Sequence, residues 1–330
     1  MLGSLLLALS TTLFPQAAPG QRVSPLIPAE HFAPVAVPFE YFNRHIFIDL
    51  TLNGKTGMVF MLDSGTNCNI LSMRTSEALG LKPVSIQQKK GLGLGSGKVK
   101  IAAAKDIDAS IGGIQVANLM AIVDLEALEH HFGHHIDGIL GFPFLRNFVV
   151  VLDFDKHVLT LLPSKRYAYR GPGDTLSISS KSKSTCIHVM LGLAGHKQHQ
   201  AKLEIDTGSD VTLLLYSHYV HGARLEGIFP TQPPHVSYGL GGYFTMQLGV
   251  LYSLSMGRTE ASNLSIFQLK IDSAMTQKGF DGLIGTALLD RFQKVVFDVP
   301  RGHVMFELKP ADQISANQSA VPHVNEDRTR

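Results

Sequence analysis

Two short segments carry residue types that hydrolytic chemistry can use. One reads Met61-Leu62-Asp63-Ser64-Gly65-Thr66-Asn67 and the other Glu204-Ile205-Asp206-Thr207-Gly208-Ser209-Asp210. Each sets an aspartate after an apolar run, then a hydroxyl residue, a glycine and a second hydroxyl residue. A single turn of this kind says little, because Asp, Ser, Thr and Gly are the ordinary residues of tight turns. A pair says more. Two carboxyls held side by side cannot both ionise readily, so they share one proton and titrate together. The ionised member can then take a proton from water while the protonated member polarises a carbonyl.

The aspartates lie 143 positions apart (206 minus 63), and their surroundings repeat at a similar offset. Ahead of Asp63, Ile46, Ile48, Leu50 and Leu52 alternate as on a half-buried strand. Asn53-Gly54 marks a hairpin turn, and a second strand leads into the aspartate. Ahead of Asp206, Ile187, Val189, Leu191 and Leu193 alternate, Ala194-Gly195 turns, and a strand again leads in. A glycine-rich tip follows each aspartate, at 91–97 and 238–244, with Gly93-Leu94-Gly95 matching Gly239-Leu240-Gly241. Further on, 136–145 matches 280–289, and 150–162 matches 295–308. Recurrence of these features in the same order predicts a duplicated all-β unit. The expected fold is two pseudo-symmetric lobes with a catalytic cleft between them.

The expected organisation is an N-terminal lobe at 40–165, a linker rich in Ser, Gly and Lys at 166–185, and a C-terminal lobe at 186–310. An extended lead-in arm precedes them at 20–39, and a polar, disordered tail follows at 311–330. Residues 1–19 read as a signal peptide, because the apolar stretch from Leu2 to Phe14 is shorter than the ~20 residues of a membrane span. That reading predicts export, to a periplasm or the medium, with no stable membrane span once the signal is removed. An uncleaved anchor and a misplaced start are the other readings of the stretch.

Among the 330 residues 45% are hydrophobic, enough for a sizeable core, and 17% are charged. A formal charge of +2 gives no case for nucleic acid or an anionic membrane as partner. Of the two cysteines, Cys68 and Cys186, the plain reading is two buried thiols, while export would permit a disulfide.

The order Asp-Ser/Thr-Gly-Ser/Thr, glycine-rich flap, then apolar-apolar-Gly resembles the aspartic peptidases. The last element occurs as Ile139-Leu140-Gly141 and as Leu283-Ile284-Gly285, so both complete sets are present. Each half is shorter than a pepsin lobe and keeps its own flap, which makes the chain look like two retropepsin-type units fused. The resemblance implies Asp63 and Asp206 as the catalytic pair, with Gly65 and Gly208 letting the turns approach. It implies that Thr66 and Ser209 hydrogen-bond the outer carboxyl oxygens, and that Ser64 and Thr207 interlock between the lobes. Asp137 and Asp281 are structural in this scheme. The flaps, with Gly93, Leu94, Gly95, Tyr238, Gly239, Leu240 and Gly241, would close over an extended substrate.

The first flap carries no aromatic residue, unlike the pepsin pattern, while Tyr238 and Tyr243 flank the second. Tyr238 and Tyr243 either recognise substrate or merely pack within the second lobe. His130, His131, His134 and His135 crowd one segment. The plain reading is a solvated rim loop, with a metal site or His-tuned substrate binding as alternatives, and the second position of an H-E-x-x-H pattern is not Glu. The expectation is a single-chain, monomeric aspartic endopeptidase acting on peptide or protein substrates, with no cofactor and no metal. Its rivals are a non-cleaving peptide- or partner-binding protein on the same fold, and an envelope structural protein whose arm closes the cleft.

Overall fold

The structure is a computed structural model, and it describes residues 32–90, 93–95, 97–178, 184–193, 197–230, 233–270 and 279–309. The signal peptide, most of the lead-in arm, the tail, the Ala194-Gly195 turn and positions 91, 92 and 96 of the first flap lie outside the described residues.

Each lobe is a curled sheet that includes an aspartate-bearing hairpin. In the first lobe, strands His45–Leu52 and Lys55–Leu62 form the hairpin predicted around Asn53-Gly54. Asn53 and Gly54 both take positive φ, at 49° and 81°, which is why this pair turns so tightly. Strand Gly138–Leu140 runs parallel to Lys55–Leu62 and antiparallel to Ile70–Ser72. Ile114–Val123, Lys98–Ile111 and Val84–Lys90 complete an eight-stranded sheet that starts at Glu40–Phe42. The long strand Lys98–Ile111 bends back onto His45–Leu52 and closes the lobe.

The second lobe repeats the plan in seven strands. Cys186–Gly192 and Gln198–Ile205 form its hairpin, and Gly282–Ile284 runs parallel to the latter. Gly242–Met256 again bends back to pair with the first strand of the hairpin. The alternating residues point inward as expected: Ile46, Ile48, Leu50 and Leu52 have almost no exposure, as do Ile187 and Leu191. His45 and Phe47 on the opposite face are also buried. The strand is therefore covered on both faces at its start, because that second face looks into the cleft.

A third sheet joins the lobes. Its six strands run in the order Val35–Pro38, Val158–Leu162, Val149–Asp153, Phe292–Asp298, His303–Leu308 and Asp174–Ser177. The seam is antiparallel, with Val150 opposite Phe297 and Leu152 opposite Val295. The closing segments of the two lobes pair with each other. The linker at 166–185 contributes an edge strand, Asp174–Ser177, so it is part of the shared sheet. At the described end of the arm, strand Val35–Pro38 pairs with Val158–Leu162.

Candidate active site

Both aspartates sit at the first bend after a buried strand and have no solvent exposure. The Asp63 N–H donates to the Leu140 carbonyl at 2.9 Å, and the Asp206 N–H donates to that of Ile284 at 2.8 Å. The apolar-apolar-Gly segments thus clamp the strand ends from beside. The chain then folds back, so that backbone N–H groups reach the carboxylates. Gly65 and Thr66 donate to Asp63 Oδ1 at 2.9 and 3.0 Å, and Gly208 donates to Asp206 Oδ1 at 2.9 Å. The two carboxyls lie side by side, each against the glycine of the other's turn.

Ser64 and Thr207 lock the two turns together. Ser64 N–H donates to Thr207 Oγ1 at 2.9 Å, and Thr207 N–H donates to Ser64 Oγ at 3.0 Å. Each hydroxyl then donates across the interface, Ser64 to the Ile205 carbonyl at 2.7 Å and Thr207 to the Leu62 carbonyl at 2.9 Å. Gly65 and Gly208 make this approach possible. A Cβ on Gly65 would lie 2.7 Å from Asp206 Cγ, and one on Gly208 would lie 2.4 Å from Asp63 Cγ.

Thr66 and Ser209 behave differently from expectation. Neither hydroxyl hydrogen-bonds a carboxyl oxygen. The Thr66 hydroxyl faces the Cys68 thiol instead, and the carboxylates are served by backbone N–H groups of their own turns. Cys68 and Cys186 are buried, one in each lobe, and are not joined in a disulfide. Asp137 and Asp281 accept the backbone N–H of Val59 and Lys202, at 2.9 and 2.7 Å, which is a structural duty.

Burial is the dominant influence on the dyad. It raises the proton affinity of Asp63, the neighbouring Asp206 carboxyl and the Gly65 N–H partly oppose it, and the charge of Glu204 raises it further. A buried carboxyl pair that resists full ionisation is the arrangement a shared proton requires.

The flaps cross the cleft. Gly97 N–H of the first donates to the Gly241 carbonyl of the second at 2.7 Å. Gly95 and Gly241 touch so closely that a Cβ on Gly95 would lie 2.2 Å from the Gly241 carbonyl carbon. Leu94 is buried among Val211, Leu214, Phe244, Phe267 and Leu283 of the second lobe. Leu240 is buried among Phe47, Met61, Ile101, Phe132 and Ile139 of the first. Each tip leucine therefore occupies the opposite lobe's apolar pocket. Tyr238 also packs against the first lobe, so it does not merely pack within its own, whereas Tyr243 is 71% exposed.

The histidine segment lies beside this closure. Helix Glu126–Phe132 ends at Gly133, whose φ of 69° stops it. His131 stands 5.4 Å from the Tyr238 ring, and His134 stacks on Phe47 at 3.9 Å. His135 bridges Glu129 and Asp137 at 2.8 and 3.2 Å. Among the described residues no three His, Cys, Asp or Glu side chains gather as a metal would need. Sequence reasoning missed His45. Its ring is buried at the cleft edge, 4.4 Å from Phe132, facing the backbone of Gly208, and burial lowers its pKa to about 4. Its place at the head of the first strand of the hairpin that ends at Asp63 was the available signal.

Residues 48–147 match the family model described as gag-polyprotein putative aspartyl protease. No curated protein matches the chain. Among solved structures, an aspartic proteinase from Irpex lacteus is similar at 13% identity over 84% of this chain and 98% of that one, with a TM-score of 0.49. Basic 7S globulin from soybean is similar at 10% identity over 84% of this chain and 96% of its own, with a TM-score of 0.47. A retropepsin-like aspartic protease from Rickettsia conorii matches 42% of this chain over 96% of its own, at 14% identity and a TM-score of 0.28.

Proposed function

We propose that this chain, which has the retropepsin- and pepsin-like fold of the aspartic peptidases, is an endopeptidase that activates water between Asp63 and Asp206. One observation carries the reading: two interlocked turns hold the two buried carboxyls side by side, each accepting from the backbone N–H of its own turn. The dyad enters the reaction with one proton. Its ionised carboxylate takes a proton from water as the oxygen attacks the scissile carbonyl carbon. Its protonated carboxyl hydrogen-bonds the carbonyl oxygen, which becomes a hydroxyl of the tetrahedral intermediate. The dyad then gives a proton to the amide nitrogen, the C–N bond breaks, and a hydroxyl of the intermediate returns its proton to the dyad as the new carboxyl group forms, which restores the starting state. A peptide would lie extended between the lobes, its backbone pairing with the flaps as an added strand.

The leader at 1–19 supports a proposal of export, and the presence of both turns in one chain supports a monomer. The deciding experiment is digestion of a mixed peptide pool at mildly acid pH by the wild type and by Asp63→Asn and Asp206→Asn. Cleavage that falls by at least a thousandfold in either folded variant is the expected result. Equal cleavage by all three proteins would move the chemistry elsewhere, and peptide binding without any cleavage would leave a binding protein on the same fold.

A further inference from the structure

The second catalytic turn is held by a side chain whose counterpart beside the first turn cannot do the same. In the first lobe the Phe142 N–H donates to the Thr66 carbonyl at 2.8 Å. At the matching place in the second lobe the Thr286 N–H donates to the Ser209 carbonyl at 2.7 Å. Thr286 adds a hydroxyl where phenylalanine has none. That hydroxyl lies 2.8 Å from the same Ser209 carbonyl and 2.5 Å from the carbonyl of Arg44 in the first lobe. It has one hydrogen, so two carbonyls, one from each lobe, share a single donor. Thr286 has no solvent exposure. Gly285 before it fits so closely that a Cβ there would lie 2.6 Å from the Ser209 oxygen.

Arg44 belongs to a two-residue turn, Asn43-Arg44, between strands Glu40–Phe42 and His45–Leu52. Both residues take positive φ, 47° and 64°, as a tight hairpin requires. The same hairpin holds the far end of helix Thr286–Leu289, where the Tyr41 hydroxyl donates to Asp290 Oδ2 at 2.9 Å. Resting on the peptidase reading above, we infer that Thr286 is a positioning residue for Asp206, and that the Tyr41–Arg44 segment of the first lobe is the brace that holds it. Thr286 acts through the backbone rather than on a carboxyl. Ser209 is the last residue of the turn, and its N–H donates to the Asp206 carbonyl at 3.3 Å, while the Gly208 N–H within the turn donates to Asp206 Oδ1. A turn whose final carbonyl is tied to the opposite lobe keeps the Asp206 carboxyl at a set distance from Asp63. A shift of ~1 Å in reacting groups can cost about a hundredfold in rate. The distance also sets how far apart the two ionisations lie, because the repulsion that separates them fades as the carboxyls part.

The test compares Thr286→Val, which keeps the shape and loses the hydroxyl, with Thr286→Ser, which keeps the hydroxyl, and with Tyr41→Phe, which cuts the brace at its other end. Kinetics use the peptide of a mixed pool that the wild type cleaves fastest. The dyad is also titrated without substrate, by following the carboxyl carbon resonances of aspartate-labelled protein against pH, with Asp63→Asn and Asp206→Asn to assign them. The titratable groups near the two turns, Glu204, Cys68 and His45, are the same in all three variants. Thr286→Val should lower kcat by about tenfold or more with KM changed by less than about threefold. It should also bring the two apparent pKa values of the dyad closer by at least about half a unit. Thr286→Ser should restore both, and Tyr41→Phe should move both in the same direction to a smaller extent. A Thr286→Val protein that melts lower yet keeps the wild-type kcat and titration overturns the inference, as does a Thr286→Ser protein that restores neither. Should Thr286→Val not fold, Tyr41→Phe decides, and wild-type kcat and titration in that variant overturn the inference. A wild type that cleaves no peptide overturns the peptidase reading, and the titration alone then decides whether Thr286 positions Asp206.

Discussion

A methyl group on Gly65 or Gly208 would collide with the carboxyl that each glycine faces, so the separation of the turns is set by the absence of two side chains. Gly208→Ala should cost about 1–3 kcal/mol of stability as the turns are pushed apart. It should also lower kcat by at least tenfold, because displaced carboxyls no longer share a proton. Thermal melting and steady-state kinetics on the same preparation check both effects. Proton binding gives a second residue-scale prediction. Burial holds Asp63 above the ordinary carboxylate range, so the native state keeps a proton that the unfolded chain releases. The stability this supplies is complete below the unfolded pKa and is lost as pH rises through the folded value. His45 works in the opposite sense. Its folded pKa of about 4 lies below the unfolded value near ~6.5, so its contribution is complete above the latter and declines as pH falls toward the former. Over the pH range the two groups share, their contributions change in opposite senses and offset each other, so each is exposed by removing the other. Asp63→Asn should leave a melting temperature that falls toward acid pH through His45, and His45→Phe one that falls toward neutral pH through Asp63. Both aspartates and both glycines are legible in the sequence, because short turns of fixed residue type are local. His45 and Glu204 are not, since their burial depends on strands far away in the chain.

At the scale of elements, the two flaps form a reciprocal latch. Each tip leucine is nearly fully buried in the opposite lobe, and burial of a leucine is worth about 1.5–3 kcal/mol. Replacing either Leu94 or Leu240 by alanine removes most of that from the closed state alone. The Gly97 N–H, whose acceptor is the Gly241 carbonyl, should then exchange with solvent at least tenfold faster. Hydrogen exchange followed by mass spectrometry of the peptide spanning 93–99 reads this directly, and unchanged exchange in both variants would mean that the leucines do not hold the flaps. The glycine spacing identifies the tips in the sequence. Their destinations are hidden, because a leucine in a polar, glycine-rich stretch does not state which apolar wall it will meet. The histidine helix shows the same limit. Its end at Gly133 is a local event, whereas its contact with Tyr238 belongs to the assembled cleft.

The whole molecule is held by the six-stranded sheet that both lobes share. Internal repetition reveals two lobes, yet it cannot reveal that their last strands pair, because Val150 and Phe297 are joined only in space. The arm is the part most open to test. Deletion through Pro38 removes the edge strand opposite Val158–Leu162, while deletion through Ala33 leaves it in place. The longer deletion should lower the melting temperature by several degrees and the shorter one should not. Concentration gives a further check. Both turns lie on one chain, so activity per mole should be constant on dilution from micromolar to nanomolar enzyme. A steep fall would mean that the working site is built from two molecules.

Covalent union of the halves has a consequence for how the molecule can vary over generations. In an enzyme assembled from two identical chains, one codon change alters both sides of the cleft at once, and any improvement on one side is imposed on the other. Here the codon for position 61 and the codon for position 204 are separate. One specifies methionine and the other glutamate at matching places beside the dyad. An inherited change can therefore be tried on one wall while the other keeps its working form. The locked turns have no such freedom. Ser64 and Thr207 each hold the backbone of the other, so an alteration at either is felt at both.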